Sequence, residues 1–203
     1  MLEGFGKAVP ERLGLAEYWA DFEKRFWETR EPGFWKLERQ QVFKEPGEPS
    51  WEAFAAGDWD ASLRSIRERE ADYADYYRRV ADHGFVSHRV RIVEKPFSPY
   101  LRWELHLLAM RHAKGGLTSV VHASDVAEFE KSGPLPEIYT LGTDVMYEAV
   151  YNDDGVLEAA NRFTDSALIS TCQRFIEDLY RAGEPLDTFM AREIAHLDPP
   201  ATP

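Results

Sequence analysis

The sequence predicts a single α/β domain, with α+β as the variant arrangement, in which a β–α–β unit joins further antiparallel strands and N- and C-terminal helices pack on the sheet. Three observations predict it. Apolar residues recur at spacings of three and four up to Gly84 and at two from Phe85 onward. Two short β-branched runs, "RVRIVEKP" and "LTSVVHAS", flank a segment too long for an ordinary strand of roughly 5–6 residues. A later pair of alternating runs is joined by "NDDG", the composition of a hairpin turn. Residues 1–203 read as one domain: a mainly helical part over 1–84, a sheet-containing core ending in a long helix over 85–183, and a short helix and tail over 184–203.

In chain order, Leu15, Tyr18, Trp19, Phe22 and Phe26 make "LAEYWADFEKRFWETRE" an amphipathic helix, ended by Pro32-Gly33. "GFWKLERQQVFKEP" mixes Phe34, Leu37 and Val42 with charges and holds a short extended piece. A long helix is expected from Asp58, its cap, to Gly84, its stop, with Trp59, Leu63, Ile66, Tyr73, Tyr77 and Val80 as the stripe. Glu70 interrupts that stripe, so part of the helix is expected in solvent. Val86, His88, Val90 and Ile92 then alternate as a strand until Pro96.

The stretch "SPYLRWELHLLAMRHAKGG" admits two readings. As a strand it would set Tyr100, Arg102, Glu104 and His106 on one face. Ser98 as N-cap, Pro99 at the first helical position and Gly115-Gly116 at the end favour a helix. On it Leu101, Leu105, Leu108, Ala109 and His112 share a face, Trp103 falls on a flank and Arg102 points outward to solvent. "PEIYTLG" and the "NDDG" hairpin add strands. "TDSALISTCQRFIEDLYRAG" is a helix with Thr164 as cap, Leu168, Cys172, Phe175 and Leu179 as stripe, and Gly183 as stop; a shorter helix runs from Asp187 to about His196.

Composition sets limits on function. Hydrophobic residues at 44% and aromatics at 13% suffice for a substantial core. The formal net charge of −12, from 36 acids and 24 bases, repels nucleic acid and anionic membrane surfaces, so neither is an expected direct partner. No run reaches the ~20 apolar residues that cross a bilayer. Glu3, Lys7, Glu11 and Arg12 break up "MLEGFGKAVPERLGL", which therefore lacks a leader pattern; a cytoplasmic location is expected. The single Cys172 is expected to be buried and poorly nucleophilic.

The sequence lacks G-x-S-x-G, Walker A, G-x-G-x-x-G and H-E-x-x-H patterns. Its six histidines include no pair at i, i+4, so neither a metal nor a cofactor is expected. His112-Ala113-Lys114 matches the start of the H-x-K-x₄-D signature of the phospholipase D superfamily, but Ser119 stands at the carboxylate position and there is no second copy. It reads better as a helix C-terminus meeting the dipole. The candidate binding residues are Arg89, Arg91, Tyr100, Arg102, Glu104 and Tyr139; no catalytic residue is identified. Two readings stay open for the charged members. The strand arginines converge with Glu104 in a carboxylate-oriented basic pocket for a small anion or a partner's acidic side chain, or all of them lie on solvated faces.

"FWKLE", "EAFAAGDW", "HRVRIVEKPFSPYLRWEL", "KGG" and "YNDDG", followed by the last long helix, together resemble an actinobacterial domain-of-unknown-function family, DUF6879, over about residues 16–182. The resemblance implies a degenerate phospholipase D-like fold and a sensory or partner-binding role beside helix-turn-helix regulators. Lys36 replaces a family arginine, Gly116 a glutamate, and Glu137-Ile138-Tyr139 with Gly142-Thr143 stand where an Asp-Phe and a pair of aspartates are usual. The expected function is a non-catalytic binding or regulatory module that recognises a protein partner, such as a helix-turn-helix regulator, or a small anionic ligand. The alternative is a small biosynthetic enzyme on the same degenerate fold.

Overall fold

A computed structural model describes residues 5–202; residues 1–4, the start of the stretch expected to lack a leader, and residue 203 lie outside the described residues. After a short turn of 3-10 helix the chain forms β1 (Glu11–Gly14) and α1 (Leu15–Glu28), then β2 (Phe34–Glu38). Gly33 makes the entry to β2 possible: its φ is +98°, and a Cβ there would come within 2.6 Å of the Val86 carbonyl oxygen. Next come α2 (Pro49–Ala55), α3 (Trp59–Glu68) and α4 (Glu70–Asp82). The sequence reading had no place for β1 or α2.

The helix expected from Asp58 to Gly84 is thus two helices. Asp58 does cap the first, accepting the Ala61 N–H at 2.8 Å, but the backbone leaves helical geometry at Arg69. The run Arg67-Glu68-Arg69-Glu70 offers no apolar group to hold a continuous helix on the core, and Arg69 instead pairs with Glu48 at 2.7 Å.

The β–α–β unit follows as β3 (Ser87–Val93), α5 (Pro99–Ala113) and β4 (Gly116–His122), with β3 and β4 parallel. The stretch beginning at Ser98 is therefore a helix, and Ser98 caps it, its hydroxyl accepting the Leu101 N–H at 3.0 Å. A short α6 (Ala123–Val126) leads to β5 (Ile138–Leu141) and the hairpin of β6 (Val145–Tyr151) and β7 (Leu157–Phe163). The long α7 (Ser166–Ala182) is capped one residue later than expected: Asp165, rather than Thr164, accepts the N–H groups of Ala167 and Leu168. β8 (Glu184–Pro185), α8 (Leu186–Phe189) and a π turn over Met190–Ile194 occupy the region expected to form the last helix.

Among the described residues eight strands form one mixed sheet in the order β1-β7-β6-β5-β2-β3-β4-β8, giving a single α/β domain. β2, β3 and β4 are parallel at its centre, so the N-terminal part, expected to be mainly helical, supplies a central strand. Among the described residues no helix is long and apolar enough to cross a membrane.

α7 covers one sheet face. Leu37, Val90, Ile92 and Ile138 meet Ile169, Phe175 and Ile176 there, each worth about 1.5–3 kcal/mol of burial. Cys172 is fully buried in this layer, which pushes its thiol up to about 11. α1 to α5 cover the other face. α5 is apolar nearly all round, because Leu101, Leu105 and Leu108 pack toward β4 and α8, while Tyr100, Trp103 and Leu107 pack into an aromatic cluster with Trp51, Phe54 and Tyr73. Trp103 is accordingly not on a flank but 1% exposed, with the Trp51 ring centroid 5.2 Å away.

Candidate functional site

Strand alternation builds the floor of the site. With Leu37, Val90 and Ile92 turned to α7, Lys36 and Glu38 of β2 and Arg89 and Arg91 of β3 project to the opposite face. Parallel register sets Lys36 beside Arg89 and Glu38 beside Arg91. Glu38 forms ion pairs with both Lys36 and Arg89, and Arg91 Nε donates to Glu104 Oε2 of α5 at 2.7 Å. In this floor three cations face two carboxylates.

The electrostatics follow from that crowding. Burial alone would raise the Glu38 carboxyl, but Arg89, Lys36 and Arg91 reverse this and hold it well below the usual carboxylate range. Glu104 has fewer cations around it; burial wins, helped by the Glu38 charge, and its carboxyl is raised despite Arg91. Burial likewise raises Glu45, whose Oε1 accepts the Tyr100 hydroxyl at 3.0 Å. At the far end of β2, Glu137 Oε1 accepts the backbone N–H groups of Arg39 and Gln40, each at 2.6 Å, yet burial and the nearby Glu38 push it up to about 7.

Above this floor lies a cavity of about 570 Å³, inside the range of small-molecule sites. Aromatic side chains of α1, α4, α5 and the sheet, among them Phe22, Tyr73, Tyr76, Tyr100, Trp103 and Tyr139, make up much of its wall. Tyr139 is tied in place by donating its hydroxyl to that of Tyr18 at 2.6 Å, and Lys36 lies 5.8 Å from the Tyr139 ring centroid.

Of the residues singled out from sequence, Arg89, Tyr100, Glu104 and Tyr139 line this cavity, so the arginines and Glu104 converge rather than lie on solvated faces. Arg91 sits behind the lining with no exposure, as the partner of Glu104. Arg102 is not part of the site. Two residues after Tyr100 on a helix, it leaves from the opposite side and donates to the Asp198 carbonyl, and its Nε is buried without a partner, so it is not a free solvent-facing residue either.

Sequence reasoning missed Lys36, Glu38, Glu45, Tyr73 and Arg111 as lining residues. For three of them a signal existed: Lys36 and Glu38 bracket Leu37 at strand period, and Arg111 continues the helical row of Tyr100, Glu104 and Leu108. The H-x-K fragment lies elsewhere. His112 Nδ1 accepts the Thr118 N–H at 2.9 Å, Lys114 pairs with Glu70, and neither lines the cavity. Among the described residues no three His, Cys, Asp or Glu side chains are grouped to hold a metal ion.

No curated protein and no solved structure matches the chain. One family does: residues 20–191 match the family described as "Domain of unknown function (DUF6879)", a span that runs past α7 to the π turn and contains every element around the cavity except the start of α1. On that match, which covers most of its length, the chain belongs to the DUF6879 family.

Proposed function

We propose that the protein is a non-catalytic binding or regulatory module that holds a small anionic ligand in this cavity and presents its loaded state to a protein partner. The observation that carries the reading is the cavity of about 570 Å³ under aromatic walls, with a buried polar floor in which three cations face two carboxylates. Apolar residues would pack such a sheet face at least as well as ion pairs, which are expensive to desolvate. A charged floor beneath accessible space is better suited to recognition than to packing. As partner, the family resemblance favours a helix-turn-helix regulator of an actinobacterial type, in a cytoplasmic setting.

A second reading, a small biosynthetic enzyme on a degenerate phospholipase D-like fold, draws on Glu45 and Glu104. Both line the cavity with carboxyls raised by burial, as a proton donor would require. The H-x-K fragment lends it no support, since His112 is occupied by the Thr118 amide.

The test is a thermal-shift screen of small anionic compounds on wild type and on Ala149→Trp, which fills the cavity from β6. Ligand binding adds about 2.7 kcal/mol at a hundredfold excess over Kd, enough to raise Tm by several degrees. At least one compound should do so in wild type and not in Ala149→Trp. Equal response of both proteins to every compound would reject the cavity as the site.

A further inference from the structure

Among the described residues five cationic side chains line the cavity, and four of them have a carboxylate partner. Lys36 and Arg89 share Glu38, Arg69 pairs with Glu48 at 2.7 Å, and Lys44 lies 3.7 Å from Asp154. Arg111, from the last turn of α5, has no ion pair among the described residues; its close contact is the Tyr73 ring, with the guanidinium carbon 5.3 Å from the centroid. Arg69 leans on the same ring at 4.9 Å, so two arginines meet one tyrosine and a single carboxylate serves the pair. Arg89 stands near enough to repel Arg111, while Tyr73, 5% exposed, lies against the guanidinium.

A guanidinium cannot shed its charge, and cations out of bulk water are normally paired. An uncompensated one facing a cavity, with a second arginine nearby, calls for an anion from outside the chain. The neighbouring wall is aromatic: Tyr73, Tyr76, Tyr77 and Phe34 line it, with Tyr76 and Tyr77 edge to face, their ring planes 87° apart. Aromatic faces bind flat rings by offset or edge contact.

We infer that Arg111 receives the acid group of the ligand, and that the ligand is a flat aromatic molecule bearing one such group, a carboxylate or a phosphate. The inference rests on the binding-module reading and adds to it the residue that reads the charge and the class of molecule read.

Isothermal titration of the full chain with naphthoate, with naphthalenemethanol and with inorganic phosphate tests it, on wild type, Arg111→Gln and Arg111→Lys. Wild type should bind naphthoate about tenfold or more tighter than naphthalenemethanol, as expected for a charge-assisted contact. Arg111→Gln should erase that ratio and Arg111→Lys restore part of it. Equal binding of acid and alcohol by wild type, or a ratio unchanged in Arg111→Gln, overturns the assignment of Arg111 while the cavity remains a binding site. Phosphate binding as tightly as naphthoate overturns the aromatic half. Failure of wild type to bind naphthoate overturns the whole inference, and the separate screen against Ala149→Trp then decides the module reading. If Arg111→Gln does not fold, the acid-to-alcohol ratio of wild type, with Arg111→Lys, still decides.

Discussion

Removing the Glu104 carboxylate tests whether the polar floor is as desolvated as its geometry implies. Arg91 is fully buried and, among the described residues, has Glu104 as its one ion-pair partner in direct contact, Nε to Oε2 at 2.7 Å. At an effective dielectric constant of about 20, that separation gives roughly 6 kcal/mol of attraction before desolvation is counted. In Glu104→Leu the cation would keep the Ile92 carbonyl at 3.0 Å and a marginal contact to the Glu38 carbonyl at 3.5 Å, and its Nη2 already lacks a partner. Glu38 is itself engaged by Lys36 and Arg89 and gives little further relief. The expected cost is about 3–5 kcal/mol, the range for breaking a buried pair from one side and a large share of a stability of about 5–15 kcal/mol. Arg91→Met should cost less, because burial already raises the Glu104 carboxyl and it can take up a proton, whereas a guanidinium cannot lose one. The double variant Arg91→Met/Glu104→Leu should return to within about 1 kcal/mol of wild type or exceed it. Guanidinium chloride unfolding followed by tryptophan fluorescence, compared at constant m, gives all three values. A Glu104→Leu cost below about 1 kcal/mol, or strict additivity in the cycle, would refute a desolvated pair.

Two further outcomes are expected. Trp103→Ala should cost about 3–5 kcal/mol by the same unfolding assay, since Trp103 is 1% exposed amid Trp51, Phe54 and Tyr100; a cost near zero would place it on the flank that helical periodicity suggests. Glu137, raised by burial from 4.5 to about 7, keeps a proton in the folded chain that the unfolded chain has released, so stability should fall as pH rises through that window, by about 3 kcal/mol in all. Glu137→Gln should flatten this slope in unfolding titrations at pH 5 and pH 8; an unchanged slope would assign the dependence to other groups.

How much of the site the sequence revealed varies with the range of the interaction involved. The convergence of Arg89, Arg91 and Glu104 was legible as one of two open readings because a β–α–β unit brings its helix back over its first strand, and the spacing of the runs already implied such a unit. Lys36 and Glu38 were not, although their alternation is plain. Their place beside Arg89 and Arg91 depends on β2 pairing with β3 across three intervening helices, and no local pattern encodes that pairing. Arg102 and Trp103 failed together, for one reason. Periodicity assumes a helix with one buried side, and α5 is packed on several.

By itself, then, the sequence determined what is decided within a few residues. Ser98 and Pro99 start α5 and Asp58 starts α3, because a cap is a contact between side chain and backbone three residues apart. Alternation set the sheet faces of β3, and "NDDG" turned the last hairpin. Only the tertiary structure decided which charges are compensated. Whether Arg111 finds a carboxylate depends on where α4 and the segment before α2 come to rest over the sheet, and those positions follow from the summed burial of aromatic side chains drawn from α1 through β6. Burial of that kind is non-directional, so it leaves no spacing to read in the chain, and the cavity it encloses becomes visible only when the elements are in place.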